Sequence, residues 1–209
     1  MTISVDLKDS EQARWARTIA NTWTVSRINI DKWSSLTKVL MEMVSKEDYT
    51  GTGAWNDAGI LNLNLPTSEF LVQLGLWMGL KAPIWFPAPL DNLNTTKLSY
   101  FLNDELVSLS QDPLRKPVIL LRHDEFAQGV QEVWGGWLTS NRFVLLFMNG
   151  LSTAAPMNIS LTKEAKISDL FSYSIRDPVM RRNIGSSSNE EVRVASVAGH
   201  SLEIRVLHF

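Results

Sequence analysis

The chain has 209 residues, of which 44% are hydrophobic and 20% are charged, and its formal net charge at pH 7 is -2. This composition predicts one or two packed domains and argues against a disordered chain. The two signs of charge are mixed along the sequence, without the basic stripe that phosphate groups require, so nucleic acid is not an expected partner. The sequence contains no cysteine, which excludes disulfides, thiolate catalysis and cysteine-based zinc sites.

Metal, membrane and targeting signals are weak. The three histidines, His123, His200 and His208, lack the spacing of metal ligands, so we expect neither a metal nor another cofactor. No run of about 18 apolar residues predicts a membrane span. The beginning of the sequence, MTISVDLKDSEQ, lacks the apolar core of a signal peptide. The sequons at Asn94 and Asn158 indicate a glycoprotein only weakly, and the localisation of this chain stays open.

The first half of the chain alternates strand-like and helical patterns. The strand-like runs are TISVDL, NTWTV and a short buried run, APIWFPAP. The helical patterns are SEQARWARTIA, then DKWSSLTKVLMEMVSK with Asp31 as the expected N-cap, TSEFLVQLGLWMGLKA after Pro66, and NTTKLSYFLNDELVSLSQD, which ends before Pro113. Alternating strands and helices predict βα units on a parallel sheet.

After QDPLRKP the pattern changes to short β-branched runs separated by Gly, Asn, Ser and Pro. These runs are VILLRHD, VQEVWGGWL, RFVLLFMNG, MNISLT, EVRVASV and SLEIRVLHF. They predict an antiparallel β-sandwich, with GSSSNEE as a surface loop. The sequence therefore predicts two domains, over residues 1–112 and 117–209.

Six motifs in order along the chain resemble those of the α-galactosidases of glycoside hydrolase family 27. They read NTWT, GTGAWNDAGIL, LWMGLKAPI, LSQDPLR, DLF and VAGHS. The family has NSWR, GPGGWNDPDML, LWAxxKAPL, INQDPLG, DLW and VPAHG at these places. The resemblance implies an α/β plus all-β fold: the C-terminal part of a (β/α)8 TIM barrel followed by a β-sandwich. It also implies a retaining hydrolase of terminal α-galactosides, secreted or vacuolar and lysosomal in full-length relatives.

The chemistry of this family requires two carboxyl groups about 5 Å apart, one as nucleophile and one as acid and base. The resemblance implies that the nucleophile follows an earlier barrel strand, in a K-x-D motif. It also implies that this chain begins near the sixth strand, so we expect the nucleophile segment to be absent. The acid/base residue lies five positions after the Trp of NSWR. Trp23 and Trp33 keep the family's ten-residue spacing, which puts Ile28 at that position, and an isoleucine has no proton to donate.

Two further site positions differ from the family. Thr24 stands where relatives have a sugar-binding Arg, and Gly59 stands where they have the second Asp of WNDPD. No catalytic residue is assigned in this chain. Trp55 and Asp57 remain as candidate substrate-binding residues, although they could instead build a structural corner in which Asn56 and Asp57 bond to their own turn.

Other conspicuous side chains are expected to be structural. Trp77 and Trp85 follow apolar patterns typical of a core, and Trp134 and Trp137 are expected to pack at the edge of the sandwich. His200 matches the late His of the family, and we expect it to be buried and hydrogen-bonded at a strand start. No spacing among Asp6, Asp9, Asp57 and Glu69 indicates a catalytic pair.

Three functions stay open at this stage. The chain could be an α-galactosidase-type enzyme represented by its C-terminal portion, an inactive relative that binds carbohydrate or a partner, or a truncated gene product. The joint loss of the site groups at Thr24, Ile28 and Gly59 favours the second and third functions.

A half barrel exposes unpaired strand edges, so we expect either a second copy of the chain or a separate chain that supplies the missing half.

Overall fold

The computed structural model describes residues 4–6, 13–44, 46–87, 93–167 and 172–209. The helices are α1 (Ala13–Ala16), α2 (Trp33–Met43), α3 (Thr67–Gly79), α4 (Thr95–Phe101) and α5 (Asp104–Ser110). The strands are β1 (Ser4–Asp6), β2 (Thr22–Thr24), β3 (Trp55–Asp57), β4 (Ile119–Phe126), β5 (Gly129–Leu138), β6 (Arg142–Asn149), β7 (Ala155–Ser160), β8 (Tyr173–Asp177), β9 (Arg182–Ser187), β10 (Glu191–Val197) and β11 (Ser201–His208). The DLF motif, residues 169–171, lies outside the described residues.

The first three strands form a parallel sheet in the order β1-β2-β3. A parallel sheet with β1 and β2 agrees with the alternating pattern, whereas β3 was not among the predicted strand-like runs. Successive side chains of a strand point to opposite faces. Trp23 of β2 therefore lies on one face, where it packs with Ala16 of α1 and with Ala54. Thr22 and its aligned partner Trp55 lie on the other face. β2 and β3 have three residues each. Because they are adjacent and parallel, the loops that follow them begin side by side at the carboxyl end of the sheet.

Two helix predictions in this half need correction. The long pattern from Asn94 to Asp112 forms two helices, because the side chain of Asn103 accepts hydrogen bonds from the backbone N–H groups of Glu105 and Leu106 and so begins α5. The N-cap of α2 is Lys32, not Asp31. The carboxylate of Asp31 instead accepts a hydrogen bond from the hydroxyl of Ser35 at 2.9 Å.

The prediction of a buried strand in APIWFPAP is also wrong. Residues 82–87 form no strand, and Trp85 and Phe86 are 43% and 40% exposed. Prolines at 83 and 87 lack the N–H group that a strand ladder needs. Trp77, by contrast, is fully buried in α3, as predicted.

The second half is antiparallel, as predicted, with six strands in the order β4-β5-β6-β11-β8-β9 and a separate pair, β10-β7. The sequence did not predict β8 and β9. The prediction of a loop at GSSSNEE is wrong in its first part, because Gly185–Ser187 belong to β9. Trp134 is buried, whereas Trp137 is 41% exposed and packs edge-on against Phe143. They therefore form no exposed tryptophan pair.

The six-stranded sheet has a core on each face. One core joins it to the helices, with Leu36 of α2, Trp77 of α3, Leu106 of α5, Leu146 of β6 and Ile204 of β11 among its members. The other core lies between this sheet and the β7-β10 pair. The helical part and the sandwich therefore share one continuous hydrophobic cluster. No helix in the described residues is long and apolar enough to cross a membrane.

Candidate functional site

The Trp-Asn-Asp corner of β3 is held by buried hydrogen bonds. The indole N–H of Trp23 donates to Oδ1 of Asn56 at 2.6 Å, and Nδ2 of Asn56 donates to the backbone carbonyl of Lys46 at 2.7 Å. Asn56 therefore ties β3 to β2 and to the turn after α2, rather than to its own turn. Gly53, in the same corner, has a φ of 75°, a conformation that glycine adopts without the strain of a side chain.

Both carboxylate oxygens of Asp57 are engaged within the chain. Oδ1 accepts from the backbone N–H of Gly59 at 2.8 Å, and Oδ2 accepts from the indole N–H of Trp85 at 2.9 Å. Asp57 is 9% exposed. The bond to Gly59 is the turn contact that the sequence predicted. The bond to Trp85 was not predicted, and it accounts for the position of this half-exposed tryptophan outside the core.

Trp55 is the first residue of β3 and is partly buried. It lines a cavity of about 500 Å³ together with Thr22, Lys81 and Trp85. Thr22 and Trp55 begin β2 and β3, and Trp85, which bonds to Asp57 at the last position of β3, lines the same cavity. Trp55 and Asp57 are two residues apart in β3 and therefore point to the same face; Trp55 lines this cavity, and the carboxylate of Asp57 is hydrogen-bonded within the chain.

The carboxyl ends of the strands carry a second cleft, of about 680 Å³. The segment after β2 contributes Asn29 and Asp31, and the segment after β3 contributes Ile60, Leu63 and Asn64. Ligands of parallel α/β sheets bind at this end of the strands. Ile28 directly precedes this wall; it is partly buried and packs against the large core. The position implied for the acid therefore carries an aliphatic side chain with no ionisable group.

The loop after β3, which forms one wall of this cleft, is braced by polar side chains. Gln73 of α3 is fully buried; its side chain accepts from the N–H of Asn62 at 2.9 Å and donates to the carbonyl of Ile60 at 3.2 Å. Lys97 of α4 donates to the carbonyls of Leu63 and Leu65 at 2.8 and 2.6 Å. Burial lowers the pKa of Lys97. Sequence reasoning missed this bracing.

A K-x-D triplet does occur in the sequence, at Lys46–Asp48. The turn Glu47–Tyr49 is a short 3-10 helix that follows α2. Asp48 is exposed there and follows no strand of the parallel sheet. The triplet therefore does not occupy the place that the family's nucleophile would take.

His200 lies directly before β11 and joins the sandwich to the helices. Its ring stacks on Trp33 of α2 with centroids 4.4 Å apart and planes 7° from parallel. Its Nδ1 lies 3.1 Å from Oε1 of Glu69, at the start of α3. The prediction of a hydrogen-bonded residue at a strand start is right, but the side chain is half-buried, at 35% exposure.

The QDPL motif has a structural role that the sequence did not show. Buried Asp112 accepts hydrogen bonds from the backbone N–H and the hydroxyl of Thr139, from the backbone N–H of Leu114, and from Arg142 at 3.0 Å. It therefore fixes the connection to the β5–β6 hairpin.

A buried lysine lies near Asp112: the Nζ of Lys81 donates to the carbonyl of Leu109. Burial lowers the pKa of Lys81 to about 8, although the charge of Asp112 opposes this shift.

A second buried carboxylate, Glu132 of β5, was also missed. Its side chain is 2% exposed, lies 2.9 Å from Nδ1 of His123, and accepts from the indole N–H of Trp134 at 3.0 Å. Burial acts to lower the pKa of His123, but hydrogen bonds and charge from Glu132 and Glu125 outweigh it, so the pKa is raised. Among the described residues, no group of three or more acidic, His or Cys side chains is arranged to hold a metal ion.

Known protein structures contain the same combination of parallel βα units and an antiparallel sandwich. The structure resembles α-galactosidase I from Mortierella vinacea with a TM-score of 0.86 and 20% identity, over 99% of this chain and 58% of that one. It also resembles a family 27 β-L-arabinopyranosidase from Geobacillus stearothermophilus with a TM-score of 0.84 and 16% identity, over 96% of this chain and 48% of that one. These structural likenesses establish the fold.

The sequence relatives are α-galactosidases. α-Galactosidase 3 of Arabidopsis thaliana is 27% identical over 205 residues, which cover 94% of this chain and 45% of that protein. An α-galactosidase of Oryza sativa subsp. japonica is 27% identical over 93% of this chain and 46% of its own length. No family model matches the chain. The resemblance to the C-terminal portion of the family 27 α-galactosidases is thereby confirmed, and the chain spans about half the length of these relatives.

Proposed function

We propose that the chain is a carbohydrate-binding relative of the α-galactosidases that does not hydrolyse galactosides by itself. The observation that carries the proposal is Ile28. It occupies the position that the resemblance implies for the acid/base carboxylate, and it packs against the core beside a cleft at the carboxyl ends of the strands. Without a general acid, a poor leaving group loses on the order of 100- to 10,000-fold in rate.

The proposed architecture is that of a partial barrel. Residues 1–112 would be the last units of a (β/α)8 barrel, and residues 117–209 the sandwich that follows it. The shared core between α2, α3 and the six-stranded sheet supports their packing as one body. In this account Asp57 stabilises the Trp-Asn-Asp corner and does not bind the sugar, because both of its carboxylate oxygens already accept hydrogen bonds. Trp55 lines the cavity of about 500 Å³ and does not line the cleft at the carboxyl ends of the strands, so we assign it no sugar contact in that cleft.

A partner is part of this proposal. Parallel sheets are normally covered on both faces, whereas one face of β2 and β3 lines an open cavity of about 500 Å³. Exposed Trp15, Ile19 and Trp85 lie in the same half of the chain. A second copy, or a chain that supplies further barrel strands, would cover this face.

The ligand class is proposed from the relatives. One structural neighbour with a TM-score of 0.83 is an α-galactosidase from Saccharomyces cerevisiae described with raffinose, and a family 27 neighbour is described with arabinose. We propose a terminal α-galactoside for this chain. A second candidate, a chain that has kept the fold and lost sugar binding, would show no response to any galactoside.

The test is a binding comparison by NMR on the whole 209-residue chain. Titration with methyl α-galactoside should shift a set of backbone amide signals, and methyl α-glucoside should shift the same signals less at equal concentration. Equal responses to the two sugars would remove the galactoside preference. No response to either sugar up to high millimolar concentration would overturn carbohydrate binding altogether.

A further inference from the structure

We infer that the cleft at the carboxyl ends of β2 and β3 is the sugar-binding site of this chain, and that Asn29, Asp31 and Asn64 bind the hydroxyl groups of a neutral saccharide. The inference rests on the proposed function and assigns sugar binding to residues that lie outside the six motifs shared with the α-galactosidases. Alignment of those motifs instead places the family's site groups at Thr24, Ile28 and Gly59. The cleft, of about 680 Å³, has the size of ordinary small-molecule sites.

The walls of the cleft are held in place before any ligand arrives. Asn62 joins them, because its Nδ2 donates to the carbonyl of Ile30 at 2.8 Å and its Oδ1 accepts from the N–H of Asn64 at 2.9 Å. Gln73 and Lys97 anchor the same loop from α3 and α4. A braced loop loses little conformational entropy on binding, so each contact to a ligand contributes more of its free energy.

Polar groups that the fold does not use remain in the cleft. Asn29 and Asn64 are exposed, and within the described part of the chain their side-chain amides make no hydrogen bond. Asp31 is exposed, and its Oδ1 accepts from the hydroxyl of Ser35; a carboxylate has further lone pairs with which it can accept from a ligand hydroxyl. Two amides and one carboxylate supply both donors and acceptors, as a polyhydroxylated ligand requires.

The apolar part of the cleft complements these groups. Ile60 is 57% exposed, and Leu63 and Pro87 complete the lining beside it. A surface with few polar groups set in an apolar lining is typical of small-ligand sites, and it matches the C–H face of a sugar ring. Among the lining residues that the structure describes, Asp31 alone carries a charge. The site should therefore prefer a neutral galactoside to a sugar acid, whose carboxylate it would repel.

The chemistry of the cleft permits binding rather than hydrolysis. The hydrogen bond from Ser35 is the main cause that lowers the pKa of Asp31, so this carboxylate is ionised at neutral pH and holds no proton for a leaving group. A general acid would need the opposite shift. The same residue can therefore hold a sugar hydroxyl and still fail to replace the acid that Ile28 lacks.

The experiment measures methyl α-galactoside affinity by NMR titration for the wild type and three variants. Asn29→Ala and Asn64→Ala should each weaken binding by about 2- to 10-fold, the effect of one lost hydrogen bond. Asn189→Ala is the matched control, because Asn189 is also exposed but lies on the sandwich, in a different cleft. It should leave the affinity unchanged. Thermal melting of all four proteins separates weaker binding from unfolding.

The outcomes are distinct. Wild-type binding that both cleft variants retain in full overturns this inference and leaves the proposed function standing. Absence of binding by the wild type overturns both. Equal affinity of the wild type for galacturonic acid and for the neutral galactoside contradicts the role of Asp31, as does tighter binding of the acid.

Discussion

Single side chains in this protein show which residues of a shared motif have a structural role. Trp23, Asn56 and Asp57 still form the hydrogen-bonded corner of the sheet, with the indole of Trp23 fully buried. Such contacts do not depend on a substrate, and they explain why the motif can be recognised in the sequence. Thr24, Ile28 and Gly59 occupy positions for which the resemblance implies sugar-facing groups, and there the side chains differ from the family's.

Asp112 tests whether a residue of a shared motif stabilises the fold. Asp112→Ala should lower the free energy of unfolding by about 2–4 kcal/mol, because Arg142 and the N–H of Thr139 would lose a buried partner. Chemical denaturation measures the loss. Asp104→Ala is the control: Asp104 is 87% exposed and pairs with half-exposed Arg181, so its loss should be at most about 1 kcal/mol. Equal losses in the two variants would show that the QDPL motif has no special structural role.

His123 predicts a pH dependence of stability. Its pKa is raised in the folded protein, so the folded state binds the proton more tightly than the unfolded state does. The resulting stabilisation is complete below the unfolded value of about 6.5 and is lost as pH rises through the higher folded pKa.

Urea denaturation of the wild type and His123→Gln at closely spaced pH values above 6 would measure this effect. The difference in stability between the two proteins should shrink as the pH rises. A difference that is constant across this range would contradict the proposed coupling to buried Glu132.

At the scale of elements, the sequence predicted those that contribute many apolar residues to a core. The helix α2 buries Leu36, Val39 and Leu40, and β5 and β6 are rich in β-branched and aromatic residues. The strand β9 could not be predicted in the same way, because five of its six residues are exposed and its pairing with β8 comes from tertiary structure. The break at Asn103 depends on a side-chain cap, which competes with a helical pattern that continues across it.

The packing of α3 on β11 gives a prediction at this scale. A Cβ at Gly75 would lie 2.5 Å from Cδ2 of Leu202 and 3.2 Å from Cδ1 of Ile204. Gly75→Ala gains about 1 kcal/mol in helix propensity, but overpacking costs about 1–3 kcal/mol. We therefore expect a net loss of stability, measured by thermal or urea unfolding.

The control for this prediction is the same change in a Leu202→Ala background, where the closest atom is removed. There Gly75→Ala should be neutral or stabilising. The same loss in both backgrounds would show that the close approach of α3 to β11 is not its cause.

On the scale of the whole molecule, the fold could be anticipated and the site only in part. Motif order implied parallel βα units before a sandwich, and β1-β2-β3 and the antiparallel sheet agree. The cleft lined by Asn29, Asp31 and Asn64 could not be anticipated, because its loop is positioned by Gln73 and Lys97 from distant helices. Long-range hydrogen bonds of this kind leave no periodic signal in a sequence.

The central claim is that this chain has the fold of a glycosidase portion without the group that donates the proton. Its most direct test is hydrolysis of 4-nitrophenyl α-galactoside and of raffinose by the purified chain, with a heat-denatured sample as background. We expect no release of galactose above background from raffinose, because its poor leaving group needs the proton that Ile28 cannot donate. We also expect no release of nitrophenol, because no residue of this chain is assigned as the nucleophile. Release clearly above background that galactose inhibits would contradict the account.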